Sequence, residues 1–141
     1  MDGLVKLDPQ MVASFPQFLL KFQTDRKKAT EAFVKSMYAK PQSEAYLQKV
    51  SEASSKTPTN SAMALMMAML GRPDWSDALP KLTNIPVRYE FEPQLQGQAD
   101  LVKSKLPNAK IDRYEVGHAL FVDEAGKFNR MLEDVMAETS K

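Results

Sequence analysis

The spacing of the apolar residues changes near residue 84, and this change constrains the fold more than any other feature of the chain. Over residues 11–83 the apolar residues recur every three to four positions, as amphipathic helices require. From residue 84 onward the pattern predicts a strand over residues 85–91, a helix over 96–106, a strand over 110–116 and a final helix. Strands that alternate with helices favour a parallel sheet, so we predict an α/β fold.

Three segments follow from this pattern. Residues 1–10 contain a predicted strand over residues 3–7, residues 11–83 form a helical insertion, and residues 84–141 supply the strand–helix–strand–helix segment. Three strands make a poor sheet, and parallel strands are normally covered on both faces. We therefore expect an incomplete parallel sheet, whose strands need neighbours that the sequence does not contain.

Short polar residues precede most of the predicted helices, where a side-chain oxygen can accept from the free backbone N–H groups of the first turn. The candidate caps in chain order are Thr24 or Asp25, Thr59 or Asn60, and Asp123 for the final helix over residues 123–138, and a further helix is predicted after Ser43. The helix over residues 61–70 reads SAMALMMAML and is apolar almost all round. Such a helix is either packed between layers or lines an apolar cavity.

Composition excludes several classes of protein. Nineteen basic and eighteen acidic residues give a net charge of +1, and the short basic run at Arg26 predicts neither nucleic-acid nor membrane binding. The chain has no cysteine and a single histidine, so we expect no disulfide, no metal site and no cofactor. The apolar run over residues 62–70 is too short to span a bilayer. The absence of cysteine is compatible with a reducing compartment, and we expect a cytoplasmic location.

The most informative motif is Gly117-His118-Ala119-Leu120-Phe121-Val122-Asp123-Glu124, followed by Phe128-Asn129. It resembles the C-terminal end of α/β-hydrolases, in which a strand ends in Gly-His and an acidic helix start follows. Residues 85–87 resemble the family's penultimate strand. Residues 106–111 resemble the connection from helix to strand that precedes the family's last strand. The resemblance implies the C-terminal portion of an α/β-hydrolase fold with a helical cap. His118 would then be the general base, on a turn to which Gly117 gives the freedom to bend sharply.

Two residues compete as the acid that would orient His118. The family places this acid after the penultimate strand, and here the nearest carboxylate is Glu92, in a loop without an aspartate. Some members place the acid one strand earlier, where Asp8 follows the predicted first strand. Each residue also has an ordinary structural interpretation, Glu92 as a solvated strand end and Asp8 as a turn former. The sequence leaves the choice open.

No nucleophile accompanies this base. None of the five glycines lies two residues from a serine, so the Gly-x-Ser-x-Gly elbow of serine hydrolases is absent from the sequence. We expect the chain to be inactive alone and to act on a small apolar ester or amide only with a partner that supplies the missing N-terminal hydrolase half. The alternative is a non-catalytic remnant that binds a ligand or self-associates through its strand edges. An independent helical enzyme is disfavoured, because one histidine without a converging nucleophile makes a poor active site.

Overall fold

The structure is a computed structural model that describes residues 4–139. The described chain divides into two compact units. One, here called the helical unit, contains residues 7–37 and 41–73. The other, here called the core unit, contains the remaining described residues, including the short segment 38–40 that joins two helices of the helical unit. Residues 74–83 therefore belong with the core unit, whereas the sequence pattern grouped them with the helical insertion.

Four helices form the helical unit. They are α1 (Pro9–Thr24), α2 (Arg26–Ser36), α3 (Glu44–Ser55) and α4 (Thr59–Leu70). The side chain of Asp25 accepts from a backbone N–H group of α2, as the sequence predicts, and that of Ser43 accepts from one of α3. The predicted cap of α4 is wrong. The helix begins one residue after Pro58, which occupies the cap position and offers no side-chain acceptor.

Aromatic side chains hold α1 and α2 together. Phe22 is 2% exposed, and its ring centroid lies 4.8 Å from that of Phe18 and 6.3 Å from that of Phe33. The Arg26 guanidinium lies 4.8 Å from the Phe22 centroid. These contacts bury aromatic surface and add cation–π attraction.

Helix α4 packs along α1 but keeps much of its apolar surface exposed. Of its residues only Ala62 is buried, whereas Leu65 is 68% exposed and Met67 is 50% exposed. The sequence predicts that this helix is packed between layers or lines a cavity. Within the described residues only part of its surface is covered, and α1 is the helix that it contacts most.

The core unit is built on two parallel strands, β1 (Arg88–Phe91) and β2 (Lys110–Arg113), which pair in register from Arg88↔Lys110 to Phe91↔Arg113. Helix α5 (Gln96–Lys105) connects them. After β2 come the short helix α6 (Leu120–Asp123) and the long helix α7 (Ala125–Thr139). The final helix predicted over 123–138 is observed as α7, but its predicted cap is wrong, because Asp123 ends α6 and its carboxylate bonds elsewhere.

The two sheet faces differ in character. One face packs against α5 around Val102, Leu106 and Ala109, with Tyr89 and Ile111 among the partly buried neighbours. The opposite face carries Arg88 and Lys110, which both pair with Glu138 of α7. These hydrogen bonds lower the pKa of Glu138. An apolar contact thus covers one face, and a charged contact covers the other.

The strand predicted over residues 3–7 is not observed in its described part, residues 4–7. Its backbone groups have other partners. The carbonyl of Val5 accepts from the N–H of Trp75 at 3.0 Å, and the N–H groups of Val5 and Lys6 both donate to the Gln98 side chain at 3.0 Å. Because a strand ladder requires those same groups, the described sheet has two strands and not three. Gly3 lies outside the described residues.

Among the helices over residues 4–139, none is both long enough and apolar enough to cross a bilayer.

Candidate active site

The two predicted site residues of the core unit lie just past the ends of neighbouring strands. Glu92 follows the last residue of β1 directly, and His118 lies in the turn between β2 and α6. Because β1 and β2 are parallel, their carboxyl ends meet at one edge of the sheet. This edge is where α/β proteins collect functional side chains.

The structure brings these two side chains into contact. Nδ1 of His118 lies 3.5 Å from Oε1 of Glu92. The His118 side chain is 43% exposed, while that of Glu92 is 14% exposed. The distance is longer than a standard hydrogen bond but within ion-pair range, and such contacts often tighten when substrate binds. A carboxylate on Nδ1 leaves Nε2 as the nitrogen for proton transfer.

The turn that carries His118 is held by Asp123, which the sequence predicted as the cap of the final helix. Asp123 is 6% exposed, and its Oδ2 accepts from the N–H of Gly117 at 3.4 Å and from the N–H of Ala39 at 2.8 Å. The sequence shows an acidic residue five positions after the histidine, but the Ala39 partner is distant in sequence. No local pattern indicated this contact.

Asp8, the rival acid, belongs to the helical unit and serves as the N-cap of α1. Its Oδ1 accepts from the N–H of Gln10 at 2.6 Å and from the N–H of Met11 at 3.3 Å. This exposed capping carboxylate fits the ordinary structural interpretation of Asp8. Its assignment as the acid of the site stays a prediction.

A second polar pair lies within the core unit, close in sequence to the candidate site. Burial, together with the charge of Asp112, raises the pKa of Glu90, and burial raises the pKa of Tyr114. Within residues 4–139, both Glu90 carboxylate oxygens and the Tyr114 hydroxyl are buried without a hydrogen bond of standard geometry. The two groups still interact, since each shifts the pKa of the other.

Among the described residues, no group of three or more histidine, cysteine, aspartate or glutamate side chains is arranged to hold a metal ion. The groove that runs along α5 and β2 is lined by residues such as Gln96, Lys103 and Asp112 and does not include the Glu92–His118 pair. With 43% of its side chain exposed, His118 is open to solvent.

The comparisons with known proteins point to a hydrolase fold. No family model matches the chain, and no curated protein matches it in sequence. Among solved structures, the fold is similar to an esterase (EaEST) from Exiguobacterium antarcticum, with a TM-score of 0.74, 21% sequence identity and 86% of this chain covered. The match covers 47% of the esterase, so this chain spans about half of that protein's length.

At this level of identity the similarity shows the fold alone. The chain is mostly helical with a small parallel sheet, and it is consistent with part of an α/β-hydrolase-like fold. The resemblance seen in the sequence and the structural similarity thus agree on the class of fold. Catalytic role and substrate do not follow from the fold.

Proposed function

We propose that this chain supplies the C-terminal, base-bearing part of a serine-type ester hydrolase, with His118 as the general base and Glu92 as the acid that orients it. The observation that carries the proposal is the 3.5 Å contact between His118 Nδ1 and Glu92 Oε1 at the carboxyl edge of two parallel strands. The similarity of the fold to an esterase supports the same assignment.

The proposed chemistry follows from the two imidazole nitrogens. With Nδ1–H directed at the Glu92 carboxylate, Nε2 accepts the proton of a serine hydroxyl while the serine oxygen attacks the ester carbonyl. The imidazolium then returns that proton to the departing alkoxide, which leaves an acyl-enzyme. In the second half-reaction Nε2 takes a proton from water while the water oxygen attacks the acyl carbonyl, and the bond to the serine oxygen breaks. The serine oxygen takes that proton back, so the free enzyme is regenerated and the carboxylic acid is released. Glu92 stays ionised throughout and stabilises the imidazolium.

The nucleophile must come from polypeptide outside this sequence, because the sequence lacks a Gly-x-Ser-x-Gly elbow. The exposed position of His118 is what this proposal requires, since Nε2 has to reach a serine on another segment. We propose a small apolar ester or amide as the substrate.

One observation favours the alternative, a non-catalytic binding or dimerisation module. Helix α7 has no buried residue, and Leu132 and Met136 are 44% and 68% exposed. Exposed apolar side chains on an amphipathic helix are typical of a protein interface. Under this alternative the chain would show no ester hydrolysis in any complex.

The test is to purify the chain with its partners from its source cells, to determine the composition of the complex by native mass spectrometry, and to treat it with a fluorophosphonate that reacts with activated serines. We expect a second polypeptide that is labelled on a serine, and loss of labelling in the His118→Ala complex with assembly intact. Labelling that persists in His118→Ala would contradict the role of His118. Assemblies that never label would favour the non-catalytic module.

A further inference from the structure

Both chain neighbours of His118 are held by one residue. The N–H of Asp123 donates to the carbonyl of Ala119 at 3.0 Å, and Oδ2 of Asp123 accepts from the N–H of Gly117 at 3.4 Å. Ala119 is fully buried and Asp123 is 6% exposed. The backbone on each side of His118 is therefore fixed from within the core unit, while the imidazole itself stays accessible.

The same carboxylate oxygen anchors this turn to a distant part of the chain. Oδ2 of Asp123 also accepts from the N–H of Ala39 at 2.8 Å and from the N–H of Lys40 at 3.5 Å. The neighbouring Glu124 pairs with Nζ of Lys40 at 2.5 Å. A buried carboxylate is costly unless donors satisfy it, and here three backbone N–H groups converge on one oxygen.

We infer that Asp123 is a positioning residue for the proposed base: it fixes the turn, and Glu92 orients the ring that the turn carries. This inference rests on the proposed function of His118. The two residues act at different points, because Glu92 contacts the imidazole whereas the Asp123 carboxylate accepts from the backbone N–H of Gly117. Removal of Asp123 frees the turn, so the His118 ring leaves the Glu92 carboxylate part of the time.

A purely structural role for Asp123 makes a different prediction. It would lower stability when removed but would leave the state of the His118 ring unchanged. The two roles separate in a spectroscopic readout, and the chain offers a clean one because it has a single histidine. Its ring ¹⁵N shifts report which nitrogen carries the proton in the neutral imidazole, without ambiguity of assignment.

The experiment compares the full-length chain with its Asp123→Ala and Asp123→Asn variants, and Glu124→Gln serves as the control. Asparagine keeps one acceptor oxygen for the turn, whereas alanine keeps none. Glu124→Gln removes the charge that pairs with Lys40 but leaves the bonds to Gly117 and Ala119 in place. The measurements are the His118 tautomer ratio and the hydrogen exchange rate of the Gly117 amide.

In the wild-type chain and in Glu124→Gln we expect the Nδ1–H form to dominate. In Asp123→Ala the ratio should shift toward Nε2–H, and the Gly117 amide should exchange about tenfold faster, since it loses a hydrogen bond of ordinary strength. For Asp123→Asn, the tautomer ratio and the exchange rate should lie between those of the wild-type chain and of Asp123→Ala. This variant also keeps the test possible if the alanine variant does not fold. In a reconstituted hydrolase, Asp123→Ala should lower kcat by roughly a hundredfold with little change in KM.

An unchanged tautomer ratio in folded Asp123→Ala or Asp123→Asn would overturn the inference. Failure of the proposed function looks different. In that case the wild-type chain itself would lack the Nδ1–H form, because the contact with Glu92 would be missing. Faster exchange at Gly117 alone would then leave Asp123 with a structural role only, and the positioning role would be wrong.

Discussion

The N–H of Tyr114 donates to the carbonyl of Phe91 at 2.9 Å, one step beyond the last paired residue of β2. This hydrogen bond joins the two strands where their carboxyl ends leave the sheet. Tyr114 is 1% exposed and Phe91 is 3% exposed, so both ends are anchored in the interior. The loops that carry Glu92 and His118 therefore start from strand ends whose positions are fixed. This explains how two loop residues can meet at a defined distance.

The buried Glu90 carboxyl should make stability depend on pH. Its pKa lies above the ordinary value of 4.5, chiefly because of burial. The folded chain thus holds this proton more tightly than the unfolded chain, and the resulting stabilisation is fully present below pH 4.5 and is lost as the pH rises through the folded-state pKa. Glu90→Gln cannot lose the proton, so its stability relative to wild type should rise from acid to neutral pH.

Urea denaturation across this pH range measures the effect. The exposed Glu133→Gln variant provides the matched control and should show a difference from wild type that stays flat with pH. A Glu90→Gln difference that is equally flat would show that burial does not penalise the Glu90 charge.

Asp8 offers a test between the two candidate acids. Because Asp8 is the N-cap of α1, Asp8→Ala should lower the free energy of unfolding by about 0.5–2 kcal/mol. Asp8→Asn should change it little, since asparagine caps equally well. If Glu92 is the acid, Asp8→Asn should also leave turnover of the reconstituted hydrolase unchanged. Loss of turnover by a factor approaching 10⁴ in Asp8→Asn, without loss of stability, would instead identify Asp8 as the acid.

Phe22 should be a principal determinant of the stability of the helical unit. Its ring is 2% exposed and contacts Phe18, Phe33 and Arg26. Phe22→Ala should cost about 3–5 kcal/mol, because it leaves a cavity in this cluster. Leu20→Ala on the same helix, at a side chain that is 58% exposed, should change stability by less than about 0.5 kcal/mol. Similar urea midpoints for the two variants would contradict this packing.

What the sequence predicted well depends on local chemistry. Asp25 caps α2, and α3 begins directly after Ser43, because a helix start depends on only the next few residues of the chain. The predicted strand over 85–91 is observed as β1 from Arg88, and the Val87 carbonyl also accepts from the N–H of Lys110 at 3.0 Å. Pro86, which has no N–H to donate, lies outside the strand.

What the sequence could not predict depends on distant partners. The carbonyl of Val5 accepts from the N–H of Trp75, and the N–H of Val5 donates to the Gln98 side chain. The predicted first strand is therefore not observed in residues 4–7. Asp123 has the residue type of a helix cap, but its carboxylate bonds to Ala39, 84 positions away. In both cases the residue type allows two structures, and a partner remote in sequence decides between them.

The central claim, that Glu92 holds His118 in the orientation a hydrolase base needs, is tested most directly by the ring ¹⁵N shifts of His118 in wild type and in Glu92→Ala. A carboxylate beside Nδ1 favours the Nδ1–H form, whereas free imidazole side chains prefer Nε2–H. The account predicts a predominantly Nδ1–H imidazole in the wild-type chain and a shift to Nε2–H in Glu92→Ala. An Nε2–H imidazole in the wild-type chain, unchanged by the substitution, would contradict it.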